Sequence, residues 1–383
     1  MSGRRRWGRR CSETGAGGRA RARTEQKDGE SGGRAKSGLR RAEKPERKIG
    51  DAIDEGFALE FHKDSLKIDA ARVAESLRRV IAEQIGVQMK KRGAVVGISG
   101  GIDSSVVAAL CATALGPQRV VGVMMPEKDS SPESRRLAQL LAERFGFETI
   151  LETLTGGLEG MGCYRRRDEA IRQVFPDYGP GYKCKIGIPS TVIEQAAFNY
   201  FTLTVEDPQG RIETRRMPMG VYLQVVAASN LKQRLRMTTL YYHAEKRNWA
   251  VVGTGNKDEH EQGFFVKWGD GGADLKPIAH LFKTQVFQLA RHLGVPDEIV
   301  SRTPTTDTYS AEQTQEEFFF GLDFYTMDML WYAMEHRVPA AEAARVLNLT
   351  PEEVERGYRA IQRKIDATAY LRMNPLEAPP EAR

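Results

Sequence analysis

Seven consecutive residues, Ser99-Gly100-Gly101-Ile102-Asp103-Ser104-Ser105, set hydroxyls, two glycines and one carboxylate directly after an apolar run. A glycine turn between a strand and a helix lets backbone N–H groups approach an anion, and the helix N-terminus adds partial positive charge. That is the chemistry of a phosphate cradle. It is not a Walker A loop, because no Gly-Lys-Ser/Thr follows. A carboxylate beside a phosphate is repelled by it, so Asp103 reads as a ligand for a divalent cation that bridges phosphates. A second string, Gly253-Thr254-Gly255-Asn256-Lys257-Asp258-Glu259, also ends an apolar stretch. It leads into Gly263-Phe264-Phe265-Val266-Lys267-Trp268-Gly269-Asp270-Gly271-Gly272-Ala273-Asp274. Taken singly, Phe264 and Phe265 suit a core, Lys267 and Asp274 suit a surface ion pair, and Arg234 and Arg236 suit an exposed helix face.

The elements that must hold these strings alternate. Val95, Val96 and Ile98 read as a buried strand, and Ser104 or Ser105 opens a helix to about 115. A strand at 119–126 follows, then a helix opened by Ser131-Pro132-Glu133 with Leu137, Leu140 and Leu141 on one face, then a strand at 147–154. Strand, helix, strand, helix, strand predicts an α/β fold: a doubly wound parallel sheet with helices on both faces. Ligands of such sheets bind beyond the carboxyl ends of the strands, where the 99–105 turn falls. Upstream, apolar residues from Ile68 to Val87 are spaced as a helix. Residues 198–217 predict a β-hairpin around a Pro/Gly turn. Helices at about 222–243, 283–293, 339–347 and 351–366 and a strand at 249–253 complete the pattern. No internal repeat is visible, and the Pro-rich end at 374–383 reads as loose.

Composition bounds the rest. At 383 residues and 40% hydrophobic content the chain can bury a proper core, and no run approaches a membrane span. Four scattered cysteines form no Cys-x-x-Cys pair and six histidines lie far apart, which excludes a zinc ribbon and suits a reducing cytoplasm. The net charge of +6 is misleading: residues 1–50 carry 16 basic and 6 acidic side chains, leaving 41 and 45 for the remainder, a net of −4. The body therefore offers no electrostatic footprint for nucleic acid. The Arg/Gly-rich stretch at 1–50 cannot offset its ordering entropy and is expected to be disordered. A solvated tail, a nucleic-acid-binding arm and sequence upstream of the true start all fit it.

The Ser-Gly-Gly-x-Asp-Ser order resembles the pyrophosphate loop of the N-type ATP pyrophosphatases, which split ATP between its α and β phosphates. The Gly263 to Asp274 string makes the resemblance specific: it is similar to the NAD synthetase family, as are Asn230-Leu231-Lys232-Gln233-Arg234-Leu235-Arg236-Met237 and Pro304-Thr305-Thr306-Asp307. The likeness covers about 66–372 and implies an adenine nucleotide alpha hydrolase-like fold. It also implies amidation of nicotinic acid adenine dinucleotide with ATP, Mg²⁺ and ammonia. A carboxylate is a poor acyl donor, and attack on the α-phosphorus converts it into an acyl-adenylate that ammonia can open. The resemblance assigns Ser99, Gly100, Gly101, Asp103, Ser104, Ser105, Thr254, Thr305 and Lys283 to ATP, with Asp103 and Glu259 on the metal and Lys257 as a lesser phosphate candidate. Asn230, Arg234, Phe264, Lys267, Asp270 and Asp274 fall to the dinucleotide, and Asp270 or Asp274 orients or deprotonates ammonium. Residues 301–322 suit a loop closing over the phosphates. A homodimer in the cytoplasm is implied as well.

Two departures matter. No nitrilase-like glutaminase precedes the motifs, so nitrogen is expected as free ammonia or from a separate glutaminase subunit. The segment at about 156–222 is longer than the family pattern, which leaves three roles open: covering the cleft, extending a dimer contact, or meeting a partner. It also leaves open an ATP-dependent amidase or ligase of the same fold acting on another carboxylate.

Overall fold

Alternation along the strands decides the two faces of the central sheet. Strands β1 (Ala94–Gly97), β2 (Val120–Met124), β3 (Glu148–Leu151) and β7 (Ala250–Val252) lie in the order β3-β2-β1-β7, all parallel. Val95, Val121, Val123 and Val251 point to one side, where they pack with Met237, Leu240 and Ala244. Their neighbours Ala94, Val96, Val120 and Val252 point to the other side and join the larger core. The expected doubly wound sheet is thus present, with helices on both faces. A computed structural model describes residues 60–187, 201–306 and 308–378. The tail expected at 1–50, the start of the expected 198–217 hairpin and Asp307 lie outside the described residues.

The larger core is built by α1 (Ala70–Glu83), α2 (Ile102–Leu115), α3 (Pro132–Phe145) and α8 (Lys283–Leu293). Helix α2 is buried almost all round, from Val106 to Cys111, because it lies between the sheet and other helices. Helix α1 starts at an Asp69 cap and ends at Glu83, followed by a wider turn. Val87, expected in its apolar stripe, is 70% exposed. The opposite face is covered by α6 (Met219–Arg247), which extends past the strand ends.

The 156–222 region folds as α4 (Thr155–Gly160), α5 (Cys163–Arg172) and a separate antiparallel sheet of β4 (Lys183–Gly187), β5 (Thr202–Glu206) and β6 (Ile212–Arg216), in that order. β5 and β6 are the expected hairpin. After β7 come α7 (Lys257–Gln262) and, beyond α8, α9 (Asp297–Val300). A last group comprises α10 (Phe324–Glu335), α11 (Ala340–Leu347) and α12 (Pro351–Ala367), built around the fully buried Trp331, followed by the short α13 (Ala369–Arg372). Among the described residues no helix is long and apolar enough to cross a membrane.

Candidate active site

A cavity of about 720 Å³ opens at the carboxyl ends of β1, β2 and β7. Its floor is the 99–104 turn. Gly101 caps α2, and the turn is braced internally: Ser104 Oγ donates to the Gly101 carbonyl at 3.0 Å and Ser105 Oγ to the same oxygen at 2.8 Å. Gly100 adopts φ +72°, and a Cβ there would stand 2.6 Å from the Ser134 carbonyl oxygen, so no other residue fits. Ser99, Gly100, Gly101, Asp103 and Ser104 line the cavity.

The first turns of three helices converge on this floor. Lys283, fully buried at the start of α8, donates from Nζ to Asp103 Oδ2 at 2.5 Å. Asn256 Nδ2 donates to Asp103 Oδ1 at 2.9 Å, while its backbone N–H and side-chain oxygen form a reciprocal capping box with Glu259. Gln315 bridges the pair, accepting from Lys283 Nζ at 3.4 Å and donating to Glu259 Oε1 at 3.3 Å. Burial, and after it the charge of Asp103, pushes the Glu259 carboxyl well above the usual range. Burial pulls the Lys283 ammonium down, but Asp103 and Glu259 outweigh it and the net shift is upward. Two crowded carboxylates beside an anion cradle are a site that a cation would relieve. Among the described residues no cluster of three metal-ligating side chains exists. A pair of hard oxygen donors fits Mg²⁺, which typically takes one or two carboxylates and draws its other ligands from phosphates and water.

The NAD synthase family profile matches residues 73–163 and 187–375. The chain belongs to the NAD synthase family. An NH(3)-dependent NAD(+) synthetase from Rhizobium meliloti (strain 1021) is 50% identical over 317 residues, which is 83% of this chain and 94% of that protein. One from Mesorhizobium japonicum is 49% identical over 311 residues, 81% of this chain and 97% of its own. The NH3-dependent NAD synthetase of Campylobacter jejuni shares the fold, with a TM-score of 0.51 at 19% identity over 82% of this chain and all of that one.

The residues that the NAD synthase resemblance assigned to substrates divide into two groups. Thr254, Thr305, Asn230, Phe264 and Asp270 line the cavity together with Asp103, Glu259 and Lys283. Phe264 stacks on Phe319 with ring centroids 4.8 Å apart. Asp270 is exposed where it opens onto the cavity; Oδ1 accepts the Val266 N–H at 2.8 Å, and the chain around it nudges its carboxyl upward from the usual range. The other residues are held outside the cavity wall. Asp274 accepts from the Val251 N–H at 2.8 Å and from the Tyr241 hydroxyl at 3.1 Å. Lys267 Nζ donates to the carbonyls of Tyr370 and Met373, and Arg234 Nε donates to the Lys267 carbonyl at 3.3 Å. Lys257 pairs with Glu335 at 2.7 Å over the ring of Phe282.

Sequence reasoning missed Asn256 and Gln315, whose roles arise only when α7 and the 304–315 segment meet α2. It also missed Arg236 as a wall residue and the buried acids Asp258 and Asp328. Asp258 Oδ2 accepts the backbone N–H of Lys283 at 2.9 Å, and Asp328 Oδ2 accepts the N–H and hydroxyl of Thr284 at 2.9 and 2.7 Å. Both cap the first turn of α8 and so fix the root of Lys283. Spacing gave a signal only for Asn256, which precedes Glu259 by three residues as an N-cap does.

Proposed function

We propose that this chain is an ammonia-dependent NAD synthetase whose catalytic domain spans about 66–372. The observation that carries the reading is the joining of Asp103, Asn256, Glu259 and Lys283 beneath one cavity in a member of this family. The substrate carboxylate of nicotinic acid adenine dinucleotide attacks the α-phosphorus of ATP, pyrophosphate leaves, and ammonia then opens the acyl-adenylate to give NAD and AMP.

This chain's own residues position and neutralise. The 99–105 turn and the N-terminus of α2 cradle the departing phosphates, and Lys283 meets their charge. Asp103 and Glu259 would hold Mg²⁺, which supplies charge neutralisation between the two anionic reactants. Thr254 and Thr305 contact ATP, and Asn230 and Phe264 take the nicotinate end of the dinucleotide. Asp270 faces the cavity, whereas Asp274 is tied to β7, so Asp270 is the group that binds ammonium and accepts its proton. Arg234 and Lys267 reach the dinucleotide only if their present carbonyl partners release them.

Met219 and Leu223, exposed and one turn apart at the start of α6, supply an apolar patch for a homodimer contact. A cytoplasmic setting accords with three buried free cysteines among the described residues. Nitrogen comes as free ammonia or from a separate glutaminase. The test is product analysis: ATP, Mg²⁺, ammonium and nicotinic acid adenine dinucleotide give NAD, AMP and pyrophosphate. ADP and phosphate would contradict the reading. Pyrophosphate formation dependent on a different acid would instead favour a ligase of altered specificity.

A further inference from the structure

Among the described residues β4 is the end strand of its sheet, and an edge of this kind is commonly covered by a loop or helix. The cover is the 304–315 hairpin. Gln315 N–H donates to the Pro304 carbonyl at 3.1 Å, Thr306 N–H donates to the Gln313 carbonyl at 3.0 Å, and Thr305 bridges Thr314. The return arm of that hairpin is stitched to β4. Cys184 N–H donates to Ser310 Oγ at 2.9 Å, Ala311 N–H donates to the Cys184 carbonyl at 3.1 Å, and Gln313 Nε2 donates to the Ile186 carbonyl at 2.9 Å. Lys185 Nζ adds Glu317 at 2.6 Å. The same hairpin presents Thr305 to the cavity and Gln315 to Lys283 and Glu259. The family profile skips residues 164–186, the stretch that holds Cys184, Lys185 and Ile186.

We propose that the edge of β4 is a brace for the 304–315 hairpin, with Ser310, Gln313 and Lys185 as positioning residues that set Thr305 and Gln315 against bound ATP. This deepens the reading of the site as an NAD synthetase and rests on it. The added segment thus acts on the reaction through a preformed wall, which lowers the ordering cost of ATP binding and keeps water from the acyl-adenylate. Water reaching that intermediate returns the acid and AMP, so a loosened wall releases AMP without NAD.

The experiment uses the full chain and its Ser310→Ala, Lys185→Ala and Gln313→Ala variants. Steady-state kinetics are read with ATP varied, and AMP and NAD are counted in the same reaction. The brace predicts a KM for ATP raised by about three- to tenfold, the worth of one or two hydrogen bonds, and AMP in excess of NAD. A merely structural role would lower the active fraction, and with it kcat, while leaving KM and the product ratio alone. Lys185 is on the surface side of the contact and keeps the test open if Gln313→Ala fails to fold. Ser310→Thr retains the hydroxyl and stays near wild type. Unchanged KM and one AMP per NAD in Ser310→Ala and Lys185→Ala would overturn the brace alone. Absence of NAD from the wild-type chain would overturn both the brace and the reading beneath it.

Discussion

Lys283 Nζ donates to Asp103 Oδ2 at 2.5 Å across 180 residues of sequence, joining the first turns of α8 and α2. The lysine is fully buried and the aspartate side chain 14% exposed. The pair therefore sits where a charge left alone is costly.

Asp103→Ala removes both the metal oxygen and the partner of a buried ammonium. Stability should fall by about 3 kcal/mol or more, as for breaking a buried ion pair. Asp103→Asn keeps the volume and one acceptor but still leaves the buried Lys283 ammonium without its counter-charge, so the melting temperature falls, by less than in the alanine variant. In both, adenylate formation drops by about a hundredfold or more, read as pyrophosphate exchange into ATP. Exchange at the wild-type rate in Asp103→Asn would remove the metal role.

Gly100→Ala places a Cβ at φ +72° within 2.6 Å of the Ser134 backbone. The expected cost is about 1–3 kcal/mol in urea unfolding, together with a raised KM for ATP as the turn and α3 separate. A variant with wild-type stability and KM would show that the turn has room to spare.

Asp270 and Asp274 are distinguished by pH and by melting. The chain around Asp270 shifts its carboxyl upward, so its anion is present above the shifted value and lost below it. At fixed total ammonium, kcat/KM for ammonium should be level from neutrality up to the pKa of ammonium itself and fall about tenfold per unit below the Asp270 pKa. Asp270→Asn should raise the ammonium KM and abolish that limb. A slope continuing unbroken up to the pKa of free ammonium would instead mean that ammonia alone is bound.

Asp274→Ala deletes acceptors for the Val251 N–H and the Tyr241 hydroxyl. Its main effect should be a loss of about 1–3 kcal/mol, seen as a lower Tm. A normal Tm with a raised ammonium KM would return Asp274 to the site.

The legible part of this molecule was what strand-end chemistry forces. Asp103, Glu259 and Lys283 stood out because a charged side chain directly after an apolar strand, or at a helix start, has few uses. Within the 263–274 string, the resemblance left Asp270 and Asp274 as alternatives; the turn between them sends one into the cavity and the other to β7. Helix α10 escaped notice because Met327, Met329, Leu330 and Trp331 are all buried, which erases the amphipathic period. The β4 edge escaped for a different reason. Its meaning lies in a pairing with residues 310–313, which no local pattern encodes.

The most direct test follows the oxygen. In the reaction proposed, one substrate carboxylate oxygen becomes the bridge to the α-phosphorus and leaves with AMP when ammonia attacks the carbonyl. Nicotinic acid adenine dinucleotide labelled with heavy oxygen in its carboxylate should therefore yield AMP carrying one labelled atom, with pyrophosphate unlabelled. Label in pyrophosphate or orthophosphate, or AMP free of label, would contradict activation at the α-phosphorus.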